Sequence, residues 1–237
     1  MTRKLVEEYR KWGLEVNFSK TEYMCIGGEQ QNLILEETQQ KISHCTKYKY
    51  LGMIITNDGR LDEAIAQRNN QGRQAIRQLN SVLWDKQISK ENKHRIYNSI
   101  IKSITTYSSQ VWPLKEKTVK MLEATEMDYC RRAAGISRLE KIRNDRIREI
   151  MKVQHTITED IRVNQLRWYG HVQRMPEDRI PKQILNWAPQ GRRKRGRPRL
   201  SWREGIEKDI RERELEEDLW EDREKWKLGI GRRRRTF

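Results

Sequence analysis

Apolar positions change their period along the chain. Residues 2–12, TRKLVEEYRKW, put Leu5, Val6 and Tyr9 on one helical face, with Gly13 where a C-terminal cap belongs. Alternation follows: Leu14, Val16 and Phe18 fall on one side, Glu15 and Asn17 on the other. That pattern predicts two short strands, about 14–17 and 22–26, around a polar turn. Gly27-Gly28 breaks the pattern and a polar stretch follows. Residues 48–56, YKYLGMIIT, are aromatic and β-branched and read as strand, ending in the tight-turn signal Asn57-Asp58-Gly59.

From about residue 61 the period becomes helical. Ile65, Ile76, Leu79, Val82 and Leu83 fit one helix. Ser89 is a suitable N-cap for a second, whose stripe is Ile96, Tyr97, Ile100, Ile101, Ile104, Tyr107 and Val111. Further helices are expected at about 116–134, 138–153 and 158–175, with Pro176 and Pro181 marking the end of the last. Residues 188–200, APQGRRKRGRPRL, have neither period and read as a linker. A charged helix at about 201–227 precedes the basic tail Arg232 to Arg235. The expected fold class is mainly α with a small N-terminal α+β piece, and the chain shows no internal repeat.

Composition narrows the partners. Lys and Arg number 50 against 34 Asp and Glu, a net charge of +16. The first 60 residues are close to balance and the rest carries the excess. Such a chain attracts polyanions, nucleic acid foremost. Hydrophobic residues are 35 % and mean hydropathy is −1.02, so any core is thin. No apolar run approaches the twenty or so residues of a membrane span, and no membrane partner is expected. The first residues lack the apolar run of a signal peptide. Cys25, Cys45 and Cys130 form no CxxC pair, and His44, His94, His155 and His171 have no HxxxH spacing, so no metal site or disulfide framework is expected. An intracellular protein follows from the cysteine usage, and nuclear location from the basic runs. Asp58 and Asp62 could be imagined as metal ligands, but Asp58 is better explained by its turn. Phosphate-binding glycine loops and nucleophile elbows are absent from the sequence.

Three segments carry candidate chemistry. Lys20 sits in the turn between the two predicted strands, where a lysine is ordinarily solvated surface. Arg195-Gly196-Arg197-Pro198 is similar to an AT-hook. Proline extends the backbone, glycine permits close approach, and the arginines suit the narrow minor groove of A·T-rich DNA. Arg192, Arg193, Lys194 and Arg199 would add phosphate contacts; an ordinary basic linker or a nuclear-import run are the competing readings. In LRWYGHVQRM, 166–175, Trp168, Tyr169 and His171 beside Arg167 and Arg174 could stack on bases, but the helical spacing of Trp168, Val172 and Met175 favours a core face.

Six segments in one order, GLEVNFSKTEYM, YKYLGMIITNDG, HRIYNSIIKSITTYSSQVW, EMDYCRRAAGISRLEKIRN, LRWYGHVQRMPEDRIP and GRRKRGRPRLSW, resemble the C-terminal end of reverse transcriptases of animal non-LTR (LINE-type) retrotransposons. The resemblance implies a remnant of the palm at 1–60, a helical thumb at 61–135, a helical basic region at 136–187, the basic Gly/Pro linker at 188–200 and a charged helix with its Arg tail at 201–237. It implies that Lys20 is an accessory acid for departing pyrophosphate. It implies that Tyr50, Leu51 and Gly52 centre a hairpin that supports the primer terminus, so that these join Arg192 to Arg199 as nucleic-acid-binding residues. Cys130 stands where an aromatic is common, and Ser108 and Gln110 where glycine and glutamate are usual. The family's two-Mg²⁺ chemistry uses palm aspartates that precede the segment matched here. The expectation is therefore binding of RNA, DNA or hybrid template-primer without catalysis by this chain alone, and no cofactor of its own.

The alternative is a non-enzymatic host DNA-binding or adaptor protein that uses the AT-hook-like segment. Arg195→Ala with Arg197→Ala separates the two in a mobility-shift comparison of A·T-rich and G·C-rich duplexes. Groove insertion is expected to lose its A·T preference; equal weakening on both duplexes assigns these arginines to phosphate.

Overall fold

The computed structural model describes residues 2–26, 33–35, 40–187, 201–216 and 218–231. The chain divides into two compact units, residues 1–64 and 65–237. It is mainly helical, and among the described residues the strands lie in the first unit. No helix among the described residues is long and apolar enough to cross a membrane.

In the first unit, helix α1 (Thr2–Lys11) is followed by Gly13 in the left-handed region, as expected. The strand expected at 14–17 does not form; these residues are irregular. The Asn17 carbonyl accepts from Lys20 N at 3.1 Å and from the Thr21 hydroxyl at 2.8 Å, which commits this backbone to a turn rather than a ladder. The second predicted strand shrinks to β1 (Glu22–Tyr23). It pairs in parallel with β3 (Gln40–His44), which pairs antiparallel with β2 (Leu33–Leu35). Strands β2 and β3 lie in the stretch that reads as polar. Ile42 is the one apolar residue of β3, too few to show alternation, and it is buried. Residues 48–56 are two strands, β4 (Lys47–Tyr50) and β5 (Met53–Thr56), in an antiparallel hairpin. Leu51 and Gly52 both take positive φ, 45° and 81°, the signature of a type I′ turn.

The second unit begins within α2 (Asp62–Gln78). Leu79 separates it from α3 (Asn80–Trp84), so the single expected helix is two. Ser89 caps α4 (Lys90–Ile96), its hydroxyl accepting from Asn92 N at 3.2 Å. The stripe continues through a π-helical segment, Tyr97–Lys102, into α5 (Ser103–Thr105). It stops at Ser108, whose φ is 64°, and Tyr107 and Val111 are therefore exposed rather than on the stripe. Helix α6 (Glu116–Ala134) matches its predicted bounds; Gly135 at φ 70° ends it, and Ile136 N donates to Arg131 O at 2.9 Å. The helix expected at 138–153 is a 3₁₀ turn, Arg138–Glu140, and a shorter α7 (Asn144–Met151). A capping box between Ser137 and Glu140 starts the turn, and left-handed Lys141 stops it. Thr156 caps α8 (Ile157–Gln173). Helix α9 (Ile180–Asn186) was not expected, because Pro181 reads as a breaker; at the first turn of a helix it is a starter. Ser201 and Glu204 form the capping box of α10 (Trp202–Glu212). The single helix expected at 201–227 is interrupted by left-handed Glu214 and Asp218 before α11 (Arg223–Gly231).

Apolar side chains of this unit gather in clusters, two of which are clear among the described residues. The first gathers Ile76, Leu83, Tyr97, Ile101, Tyr129 and Ile147 from α2, α3, the π segment, α6 and α7. The second gathers Leu166, Ile206, Leu215, Trp226 and Ile230 from α8, α10, α11 and the segment before it. Polar side chains tie α8 and α10 to the α5–α6 connection. Gln165 donates to Ser109 O at 3.0 Å and Trp112 O at 2.7 Å, and Trp202 Nε1 to Gln110 O at 2.7 Å. Helix α11 is seated by Trp226, whose indole N–H bonds Leu166 O at 3.1 Å. Gly170 makes that approach possible: a Cβ there would meet Trp226 Cδ1 at 2.8 Å and Cε2 at 2.9 Å. Gly170→Ala is accordingly expected to lose about 2 kcal/mol in urea unfolding, overpacking outweighing the helix propensity gained. Gly205→Ala in α10, where a Cβ meets nothing within 4 Å, is the control and is expected to be neutral or stabilising. Equal midpoints for the two variants would discard the close packing.

Candidate nucleic-acid interface

Lys20 lies at the end of the Phe18–Lys20 turn, exposed. Asn17 builds the turn, its Oδ1 accepting from Lys20 N at 3.2 Å and from the Ser19 hydroxyl at 2.6 Å. The β4–β5 hairpin belongs to the same compact unit. Tyr48 and Tyr50 share one face of β4 and are 44 % and 57 % exposed; Leu51 at the turn is 73 % exposed. The hairpin therefore offers two rings and an aliphatic tip. Of the remaining site residues, Arg192 to Arg199 lie outside the described residues. Asp58 is occupied as a turn residue, accepting from Arg60 N at 2.9 Å and pairing with the Arg60 side chain at 3.2 Å.

Residues 166–175 divide between interior and surface. Tyr169 joins an aromatic group with Trp202, Trp220 and Trp226, at centroid distances of 6.4, 5.7 and 6.3 Å. Arg174 donates to Trp220 O at 2.5 Å. Val172 is buried, whereas Trp168 and Met175, expected on the core face, are only half-buried. Trp168 lies 5.5 Å from exposed His171, with exposed Arg167 beside it in sequence. Any base stacking in this segment thus falls to Trp168 and His171, since Tyr169 belongs to the fold.

The second unit holds a polar site that the sequence reading missed. Glu126 of α6 is 3 % exposed. One carboxylate oxygen accepts from Ile157 N, in the first turn of α8, at 2.8 Å, and from the Tyr97 hydroxyl at 3.4 Å. The other oxygen has no partner among the described residues. Glu126 lines a cavity of about 270 Å³ with Tyr97, Lys102, Lys152, His155 and Asp160. Lys102 and Asp160 form an ion pair at its edge. Tyr97 stacks on Tyr129 at 4.0 Å, and His94 Nδ1 meets the Tyr129 hydroxyl at 3.3 Å. Burial raises the Glu126 carboxyl from 4.5 to about 7, against the opposing pull of the Ile157 N–H and of Arg148. One signal for it was in the sequence: Glu126 falls on the stripe Leu122, Tyr129, Ala133, a carboxylate on an apolar face.

Among the described residues no group of three or more His, Cys, Asp or Glu side chains converges to hold a metal ion. The described residues do not fit a two-Mg²⁺ polymerase centre.

The chain is similar to a transposon-derived, uncharacterized protein of Caenorhabditis elegans, 23 % identical over 256 aligned residues that take in 100 % of this chain and 89 % of the relative. No family model matches the chain, and no solved structure does. The likeness supports a transposon origin.

The Glu126 carboxyl also sets a pH dependence. Its folded value lies above its ordinary one, so the unfolded chain releases this proton first as pH rises. Its contribution to stability therefore falls between about pH 4.5 and 7 and stays low above. Glu126→Gln keeps an acceptor for the Ile157 N–H and removes the charge. The variant is expected to gain on wild type across that window, by up to about 3 kcal/mol at pH 8. A difference in stability that does not change with pH would refute the assignment.

Proposed function

We propose that this chain is the C-terminal portion of a non-LTR retrotransposon reverse transcriptase, and that it grips nucleic acid without polymerising it alone. In this reading residues 1–60 are the end of the palm, with Lys20 as accessory acid and Tyr50, Leu51 and Gly52 against the primer. The α2–α6 region is the thumb. The template-primer is RNA, DNA or their hybrid, and the work is nuclear, where the target DNA lies. The observation that carries the grip is the surplus of positive charge, +16 over the chain, together with exposed cations on the helices. Arg73 and Arg77 lie one turn apart on α2, and Lys86 and Lys90 flank the start of α4. The hairpin rings add surfaces on which bases can stack. The likeness to a transposon-derived protein over the whole chain supports the origin, and the six ordered segments support the type of element.

Two assays test the two halves. Fluorescence anisotropy with a single strand and with a hybrid duplex is expected to show affinity falling linearly with salt on logarithmic axes, by more than about tenfold between 50 and 200 mM. Primer extension with Mg²⁺ and the isolated chain is expected to give no product. Absence of binding in dilute buffer removes the grip; extended primer removes the claim of inactivity.

A further inference from the structure

The turn between α6 and α7 presents one aliphatic side chain to solvent and holds the backbone beneath it in place. Ile136 and Ile142 pack against the first apolar cluster, while Leu139, three residues from each, is 90 % exposed. An exposed leucine alone is ordinary surface. This one stands on a braced tip. Leu139 N donates to the Ser137 hydroxyl at 3.2 Å, and Ser137 N donates to Glu140 Oε1 at 2.6 Å. Arg131 of α6 reaches across, donating to Ile142 O at 2.6 Å and to Asn144 Oδ1 at 3.0 Å.

The surroundings of the tip are cationic. Residues 131–148 hold seven Lys and Arg against two Asp and Glu. Both acids are engaged: Glu140 closes the capping box, and Asp145 faces Arg148 at 3.6 Å. Lys141 and Arg143 are exposed and have no carboxylate partner among the described residues. Lys141 follows Leu139 by two residues, a separation of at most about 7 Å along the backbone. An aliphatic tip and unpaired positive charge therefore occupy one short, fixed piece of chain.

We propose that Leu139 is a wedge: it enters between two neighbouring bases of a bound DNA duplex, while Lys141 and Arg143 hold phosphates beside the opened step. The tip is a single convex side chain. A protein partner would have to offer it a ready pocket, whereas stacked bases part to make a slot, and the backbone beside that slot is polyanionic. A braced tip loses little freedom on insertion, so more of the contact energy goes into parting the bases. Pyrimidine–purine steps unstack most readily, which gives the wedge a preference for TA and CA steps although it reads no base edge. The proposal rests on the nucleic-acid-binding reading and adds to it a point at which the gripped duplex is deformed.

The test titrates the full chain into a G·C-rich duplex with a single TA step whose adenine is 2-aminopurine, a base that brightens when it unstacks. Fluorescence and anisotropy are read on the same samples. Wild type is expected to brighten the probe at saturation. Leu139→Ala is expected to lose that brightening and about tenfold in affinity, the scale of burying one leucine side chain. Its salt slope and thermal melt should match wild type, because the side chain it removes is in solvent. Lys141→Gln with Arg143→Gln should do the opposite, lowering the logarithmic salt slope by about 2 and keeping the brightening at saturation. Brightening that survives Leu139→Ala overturns the wedge. So does equal duplex affinity for wild type and Leu139→Ala, the result expected if the tip serves a protein partner instead. Salt-dependent binding that leaves the probe dark sinks the wedge and spares the grip; no binding to the duplex or to either strand in dilute buffer removes both.

Discussion

The fold of the helical unit depends on satisfying helix ends inside a core too thin to hide them. Four buried charged side chains do this, each of the sign that the helix dipole favours. Glu126 accepts from Ile157 N at the start of α8. Lys93 donates to Ala133 O at the end of α6 at 3.2 Å, and Lys182 to Gln173 O at the end of α8 at 2.8 Å. Arg213 donates to Ile230 O at the end of α11 at 2.9 Å while pairing with Glu159. A charge carried indoors costs more than its partner returns unless the geometry is good. Here each charge replaces a water that a helix end would otherwise need, and Glu126 and Lys93 do so between residues 31 and 40 positions apart.

Glu126 shows the tension in this arrangement. The Ile157 N–H and Arg148 favour its ionised form, burial disfavours it, and burial wins by enough to bring the group to about 7. The same placement leaves its second oxygen buried without a partner among the described residues. One residue thus holds the start of α8 against α6 and carries the cost of its burial. The lysine on α4 resolves the opposite case: burial lowers the Lys93 ammonium below its ordinary value, and the α6 carbonyl is its anchor.

Much of this unit was legible because its signals are local. Ser89 before Asn92, Gly135 after Ala134 and the stripe through Leu122, Tyr129 and Ala133 each specify a cap or a face within a few residues. What was not legible depends on distant partners or on single backbone wells. Strand β3 exists because β1 and β2 flank it, and its QKISH sequence has no alternation to announce this. The helices expected at 138–153 and 201–227 are broken where Lys141, Glu214 and Asp218 take positive φ, which no residue type there foretells. Of the candidate site, Lys20 was visible in the sequence as a turn lysine, while its role, Tyr50 and the hairpin came through the family resemblance. The cavity was not, since its walls come from α4, the π segment, α6, the α7–α8 loop and α8.

The same helix-end chemistry bears on how the charge surplus should be read. A count of +16 suggests that every lysine and arginine serves a polyanion, but Lys93, Lys182 and Arg213 are spent on carbonyls. Arg203 reaches Leu185 O in the last turn of α9 at 3.3 Å, and Arg131 reaches Ile142 O at 2.6 Å. Removing such a residue would weaken binding only by loosening the fold. The cations that the proposed grip would use are exposed ones such as Arg73, Arg77, Lys86 and Lys90. The charge surplus therefore divides between cations that close helix ends inside the fold and exposed cations, and only the second kind bears on the proposed grip.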